Sequence, residues 1–128
     1  MKKKQLAKEL ANQGYYQNQS KNFEKNFNNL NISVIIYSNT FGKIEMIGIL
    51  YKFKQELKEE LHDEVWEKSI QIVENSNSNF CIGALGFDFI EASILSEKEL
   101  KNINANIISE SCEQFTSLIK NLLEEYNL

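Results

Sequence analysis

Two apolar runs rich in β-branched residues, separated by a short loop that contains Gly42, constrain the fold of this chain most strongly. The first run covers residues 32–38 and the second covers residues 44–53. Runs of this length that are joined by a glycine-containing loop are typical of a β-hairpin. Apolar residues occupy both faces of each run, and strands of this kind need both faces covered. The pattern therefore predicts a sheet whose two sides are both in contact with something apolar.

The segment before this hairpin has helical spacing and a positive charge. Leucine and alanine recur four residues apart from Leu6 to Ala11, which predicts a short helix ending near Gly14. Phe23 and Phe27 continue the spacing and predict a second helical stretch over residues 19–30. Residues 1–30 contain six lysines and two glutamates, so we interpret them as a basic helical arm. Its candidate binding residues are Lys2, Lys3, Lys4 and Lys8.

The segment after the hairpin predicts two more helices with β structure between them. Apolar stripes predict a middle helix over residues 54–75, and an asparagine-rich loop follows it. Residues 80–95 form either two strands with a tight turn at residues 86–88 or one long bulged strand. Residues 96–99 match a capping box, which predicts the start of a long helix that ends near Tyr126.

These elements predict an α+β fold for residues 1–128. We expect an antiparallel sheet of three or four strands with an N-terminal helix, a middle helix and a long C-terminal helix. The length suits a single domain, in which residues 1–30 form the arm and residues 31–128 form the core. No apolar run is long enough to cross a bilayer, and no apolar stretch follows the basic start. We therefore expect a cytoplasmic protein without a signal peptide.

The sequence contains no recognisable catalytic constellation. His62 is the only histidine, and its Glu-x-x-His spacing with Glu59 occurs once, whereas di-iron bundles need two such motifs. Cys81 and Cys112 lie outside any paired motif, so we expect two buried, reduced thiols. The glycines do not form a phosphate-binding loop. We expect neither an enzyme nor a cofactor or metal site.

The apolar faces of the predicted helices and strands are larger than one small domain would bury. The apolar residues in excess are the candidate partner contacts. One set is a stripe on the middle helix and the other lies on the hairpin strands. They are Trp66, Ile70 and Val73 on the helix, and Ile35, Tyr37, Ile49 and Tyr51 on the strands. Because dimerisation removes excess apolar area from water, we expect a homodimer.

The second half of the chain resembles a known fold. An asparagine-rich loop at residues 75–79, a strand pair with a Gly-Phe-Asp turn and a capped long helix from Ser96 follow one another. This order is similar to the type III secretion chaperone-like fold, which includes class I secretion chaperones and the YbjN family, over residues 32–126. That fold has three strands after its first helix, where this sequence predicts two. The resemblance implies an acidic, usually dimeric, non-enzymatic protein that holds partner segments on sheet and helix surfaces.

The sequence supports three hypotheses about function. The first is a protein-binding adaptor or chaperone that acts as a homodimer. The second is a small acidic inhibitor or immunity-type protein, because an acidic surface suits a basic enzyme. The third is a nucleic-acid-associated protein that uses the lysine arm. The chain contains no arginine, and the acidic remainder of the chain also argues against nucleic acid.

Overall fold

The hairpin predicted from the two apolar runs is the centre of the fold in the computed structural model, which describes residues 2–94 and 100–128. The two long strands of this hairpin lie in the middle of a larger sheet. The described elements are α1 (Lys3–Asn12), β1 (Tyr16–Gln17), β2 (Phe23–Phe27), β3 (Leu30–Ser38), β4 (Ile44–Lys52), a 3₁₀ turn (Glu59–Leu61), α2 (His62–Asn75), β5 (Cys81–Leu85), β6 (Phe89–Ile94) and α3 (Ala105–Glu125).

The strands form one sheet of six strands in the order β1-β2-β3-β4-β6-β5, and every pair is antiparallel. The α+β class is confirmed, whereas the prediction of three or four strands is wrong. The additional strands, β1 and β2, come from the segment that we interpreted as a helical arm. The two-strand alternative for residues 80–95 is confirmed, because β5 and β6 form a hairpin around residues 86–88.

The stretch predicted as a second helix is strand β2. Phe23 lies opposite Val34 and Phe27 lies opposite Leu30 in the neighbouring strand. Between the strands, Asn28 and Asn29 both have positive φ, 50° and 65°, which is the backbone of a two-residue type I′ turn. Two phenylalanines four residues apart share a face in a strand as well as in a helix. The spacing was therefore ambiguous, and the asparagine turn decides between the two structures.

One face of the sheet is covered by helices and forms the core; we call it the covered face. Many of its fully buried side chains come from the middle strands and from α3. They include Ile32 and Val34 of β3, Ile47 and Ile49 of β4, Ile90 of β6, and Ile108, Phe115 and Ile119 of α3. Burying one such side chain stabilises the fold by about 1.5–3 kcal/mol.

The N-terminal segment belongs to this core and is not a separate arm. Leu6 and Leu10 of α1 are completely buried in the same cluster as α3. The Glu9 carboxylate accepts a hydrogen bond of 3.2 Å from the backbone N–H of Ala105. The proposed boundary at residue 30 falls within the β2–β3 pair, so it does not separate two structural units.

Helix α2 begins later than the predicted helix does, and the predicted C-terminal helix is interrupted at residues 102–104. Phe53 and Leu57 each donate a backbone hydrogen bond of 2.6 Å to the β5–β6 turn, to the carbonyl groups of Asp88 and Phe87 respectively. These bonds hold residues 53–57 against the turn, so the α-helix starts only at His62. Helix α3 starts at Ala105, where the Asn104 side chain accepts a hydrogen bond from the N–H of Ile107 at 2.9 Å. The predicted capping box at residues 96–99 lies outside the described residues.

Candidate partner-binding surface

The second face of the sheet, which we call the open face, is not covered by any helix of the described part of the chain. Helices α1, α2 and α3 all contribute to the core on the covered face. The open face combines half-buried apolar side chains with small and polar ones. Its central residues are Ile35 and Tyr37 of β3, Met46, Gly48 and Leu50 of β4, and Phe89, Glu91 and Ser93 of β6.

A carboxylate lies over the backbone at the centre of this face. The Glu91 side chain extends over Gly48, so closely that a Cβ added to Gly48 would overlap its Oε1 atom. The Tyr37 hydroxyl donates a hydrogen bond of 3.1 Å to the same oxygen. Glu91 is only 9% exposed although no described helix covers it. Partial burial, together with the nearby Glu91 carboxylate, raises the pKa of the Tyr37 hydroxyl above its ordinary value.

One end of the open face is a polar cleft of about 460 Å³ between the β1–β2 turn and strand β4. Glu24 lies in its wall and accepts hydrogen bonds from the Asn18 amide at 2.8 Å and the Ser33 hydroxyl at 3.4 Å. The adjacent Tyr16 hydroxyl is the largest of several influences that lower the pKa of Glu24. The open face therefore has an apolar centre with a polar end.

The structure separates the predicted partner contacts into two groups. Ile35 and Tyr37 lie on the open face, where a partner can reach them. Ile49, Tyr51 and Val73 are buried in the core, so their assignment to a binding surface is corrected. Both strands are apolar on both faces, and the sequence alone does not say which face the helices cover.

Trp66 and Ile70, the other predicted contacts on α2, are half-buried. Each follows a residue of the buried row of this helix, Val65 and Ser69 respectively. Helix α2 packs along β5, the outermost strand of the sheet. The two side chains therefore form a partly accessible stripe near this edge.

The predicted basic residues are exposed at one end of the molecule. Lys2, Lys3, Lys4 and Lys8 all contact solvent. The N–H of Lys3 donates to the carbonyl of Gly42 at 2.9 Å, which holds the start of α1 against the β3–β4 turn. This turn also presents Phe41, whose side chain is 82% exposed, beside Lys43. Lys2 forms an isolated β-bridge with Lys43, so the start of α1 lies beside this turn.

The cysteines and the histidine have different environments. Cys112 is buried, and burial raises the pKa of its thiol to about 12. Cys81 is exposed, so the prediction that both thiols are buried is wrong for this residue; both cysteines are free. The Nε2 atom of His62 is 2.9 Å from the carbonyl oxygen of Leu85 and, because a carbonyl only accepts, must carry the hydrogen. His62 thereby joins the start of α2 to the edge strand.

The acidic residues around His62 point to solvent. Glu59, Glu60, Asp63, Glu64 and Glu67 are all exposed, and we call this surface the acidic flank. Within residues 2–94 and 100–128, no group of three or more histidine, cysteine or acidic side chains is arranged to hold a metal ion. None of the helices in the same ranges is long and apolar enough to cross a membrane.

Sequence reasoning missed four residues of the open face as binding residues: Met46, Leu50, Phe89 and Glu91. Alternation along β4 places Met46 and Leu50 opposite the face of Ile47 and Ile49, so the signal for these two was present. Glu91 gave no such signal, because a single acid within an apolar run does not reveal that it lies over a glycine of the next strand.

The chain matches no family model, and comparison with curated proteins gives no significant match. The fold and the surfaces described above are therefore the basis for assigning a function.

Proposed function

We propose that this protein is a non-enzymatic protein-binding adaptor or chaperone that acts as a homodimer and holds a segment of its partner on the open face. The observation that carries this proposal is the uncovered apolar centre of the sheet. Helices cover one side of the sheet, while Ile35, Met46, Leu50 and Phe89 are only half-buried on the other. A partner that covers these side chains would remove their remaining apolar surface from water.

The arrangement of the open face supports a protein as the ligand. Protein interfaces combine an apolar centre with a polar rim that forms hydrogen bonds. Here Asn31 and Ser33 in the polar cleft adjoin the half-buried apolar side chains at one end of the face, and the Glu91 carboxylate lies among these side chains at its centre.

The order of elements also supports the proposal. Four strands, β1 to β4, lie between α1 and α2, and the last three of them have five residues or more. The sequence had predicted two, and this was the one departure from the type III secretion chaperone-like fold. If the two-residue strand β1 is set aside, the order of elements matches that fold more closely, and the resemblance implies a dimeric protein that binds partner segments without catalysis.

We assign the homodimer contact to Trp66 and Ile70 on α2. Both are half-buried beside the outermost strand β5, which is also free to pair along its outer edge within the described residues. Light scattering at several concentrations should give about twice the mass of one chain, and Ile70→Asp should halve it. The Asn75→Asp variant, which changes charge at the end of the same helix, should remain dimeric. A monomer mass for the unaltered protein at all concentrations would refute the dimer.

The open face is tested by comparing two variants that add one negative charge each. Ile35→Asp places the charge in the apolar centre, whereas Asn26→Asp places it on the exposed edge of the same face. Partners captured from native lysate should be lost with Ile35→Asp and kept with Asn26→Asp. Circular dichroism and thermal unfolding of both variants exclude loss of fold as the cause. Equal capture by both variants would contradict the proposal.

The acidic flank favours a second candidate, an inhibitor of a basic enzyme. Five acidic side chains lie exposed around the start of α2. Such a surface would accelerate association with a basic target and make it sensitive to salt. Replacing Glu64 and Glu67 by glutamine should then abolish capture of one stoichiometric basic protein, while Ile35→Asp should leave it unchanged. The two candidates thus predict opposite responses to the same pair of variants.

A further inference from the structure

Glu91 is an unusual residue for the centre of a sheet face. Its side chain is nine-tenths buried, lies opposite Leu50 of β4, and covers the backbone of Gly48. Gly48 in turn lies opposite Ile35 of β3. A carboxylate therefore occupies a place among apolar side chains where an apolar residue would bury more area.

The hydrogen bonding of this carboxylate is incomplete within the described residues. A carboxylate has about four lone-pair positions that accept hydrogen bonds. In residues 2–94 and 100–128, Glu91 accepts one bond, from the neutral Tyr37 hydroxyl. The ion pair found in the same ranges joins Lys68 to Glu125 and does not involve Glu91. A buried carboxylate without a cation is costly, and a charged donor offsets that cost.

The backbone beneath the carboxylate is shaped to receive it. A side chain at position 48 would overlap Glu91 Oε1 and approach the Tyr37 ring to 3.2 Å. Glycine at this position therefore lets both polar groups lie flat on the sheet. Their polar atoms are thereby fixed side by side, 3.1 Å apart, on the open face.

We propose that the segment held on the open face carries a lysine or arginine flanked by apolar residues. The basic group binds the Glu91 carboxylate beside the Tyr37 hydroxyl, and the flanking apolar side chains pack on Ile35, Met46 and Leu50. This inference rests on the proposed use of the open face for partner binding and specifies the chemistry of the partner. Charge-assisted bonds of this kind are about twice as strong as neutral ones.

The charge also argues against a second copy of this chain as the occupant. Two identical open faces related by a twofold axis present the same residues to each other. Glu91 near the centre of one face would then approach Glu91 of the other, and like charges brought together in an interface repel each other. A partner of opposite charge avoids this repulsion.

Selection from a phage-displayed library of random peptides tests the inference. The protein is used in three forms: unaltered, Glu91→Gln and Ile35→Asp. Glutamine keeps the size of the side chain and removes the charge. Peptides that bind the unaltered protein and fail to bind Ile35→Asp should contain a lysine or arginine between apolar residues. The same selection on Glu91→Gln should give apolar peptides without this enrichment.

A double-mutant cycle with one selected peptide measures the interaction energy between Glu91 and the basic residue of the peptide. Changing its basic residue to norleucine should weaken binding to the unaltered protein at least tenfold and change binding to Glu91→Gln less than about twofold. Gly48→Ala should also weaken binding of the basic peptide, because the added Cβ displaces the carboxylate. It should weaken binding of the norleucine peptide less. Thermal unfolding of each variant establishes that the fold is retained.

The outcomes separate this inference from the proposal on which it rests. If the selected peptides need Ile35 for binding but are not enriched in lysine or arginine, the inference of a basic residue is overturned, while the proposed use of the open face for binding stands. If no selected peptide depends on Ile35, both are overturned. Selection of acidic peptides would also overturn the inference. So would a monomer mass for the Ile35→Asp variant where the unaltered protein is a dimer, because a second copy of the chain would then occupy the open face.

Discussion

The two central strands, β3 and β4, present two faces that differ in cover and in chemistry. On the covered face, Val34 lies opposite Ile49 and both are completely buried. On the open face, the next pair along the strands is Ile35 opposite Gly48, beneath the Glu91 carboxylate. The covered face stabilises the fold by burial of large side chains. The side chains of the open face are smaller, polar or only half-buried, so they add less to folding and are available for binding.

The two cysteines give the largest expected contrast between accessible and inaccessible sites. Cys81 is exposed on the edge strand and Cys112 is buried in α3. Reaction of Cys112 with a thiol reagent requires opening of the core and formation of a thiolate whose pKa is raised. At pH 8 we expect Cys112 to react on the order of 10³-fold more slowly than Cys81. Stopped-flow absorbance with an aromatic disulfide measures both rates.

The Cys81→Ser and Cys112→Ser variants show which kinetic phase of the thiol reaction belongs to which cysteine. Urea above the unfolding midpoint should make the two rates similar, because the difference comes from burial. Similar rates in the native protein would show that α3 is not stably packed against the sheet.

Ile49 and Ile35 offer a comparison of the same residue type on the two faces. Ile49→Ala leaves a cavity in the core and should lower the free energy of unfolding by about 2–5 kcal/mol. Ile35→Ala removes a half-buried side chain and should cost less than about 1.5 kcal/mol. Urea unfolding of both variants measures the difference. If both cost the same, the open face is covered in solution, as it would be in a dimer formed through this face.

The central hairpin and the strand pair β5–β6 were predictable because their apolar runs are bounded by turn residues. The middle and C-terminal helices were predictable from a second local signal, the helical periodicity of apolar residues over many positions. Residues 53–57 are different, since their backbone groups bind the distant β5–β6 turn and this contact has no local signature. Strand β2 was misassigned as a helix because the spacing of Phe23 and Phe27 satisfies both periods.

For the binding surface, the sequence indicated which residues are apolar and not which of them the helices cover. Ile49 and Ile35 are equally apolar in the sequence, and only the packing of α3 on one side makes the first a core residue. The same limit applies to Glu91. Its position over Gly48 follows from the register of β4 and β6, whose strands are separated in sequence by α2.

The asparagine turn that establishes β2 is open to a direct test. Asn29 has a φ of 65°, a conformation that asparagine and glycine tolerate better than alanine does. Asn29→Ala should therefore lower the free energy of unfolding by about 1 kcal/mol, and Asn29→Gly should leave it nearly unchanged. Thermal and urea unfolding compare the two. Equal effects of alanine and glycine would argue against the type I′ turn and hence against the register of β2.

The smallest expected effect is the response of each face to pH. On the open face, the pKa of Glu24 is lowered from its ordinary value of 4.5, chiefly by the Tyr16 hydroxyl. Because the carboxylate is favoured in the folded state, its contribution is present above pH 4.5 and is lost as the pH falls through the lowered value. Solvent screening keeps this contribution below about 1 kcal/mol.

On the covered face, the pKa of Cys112 is raised, so its contribution to the free energy of unfolding is lost in the opposite direction, as the pH rises from about 9 towards 12. Urea unfolding over this range should show Glu24→Gln flattening only the acid limb and Cys112→Ser altering only the alkaline limb. A change of the alkaline limb in Glu24→Gln would mean that the two faces are energetically coupled through the sheet.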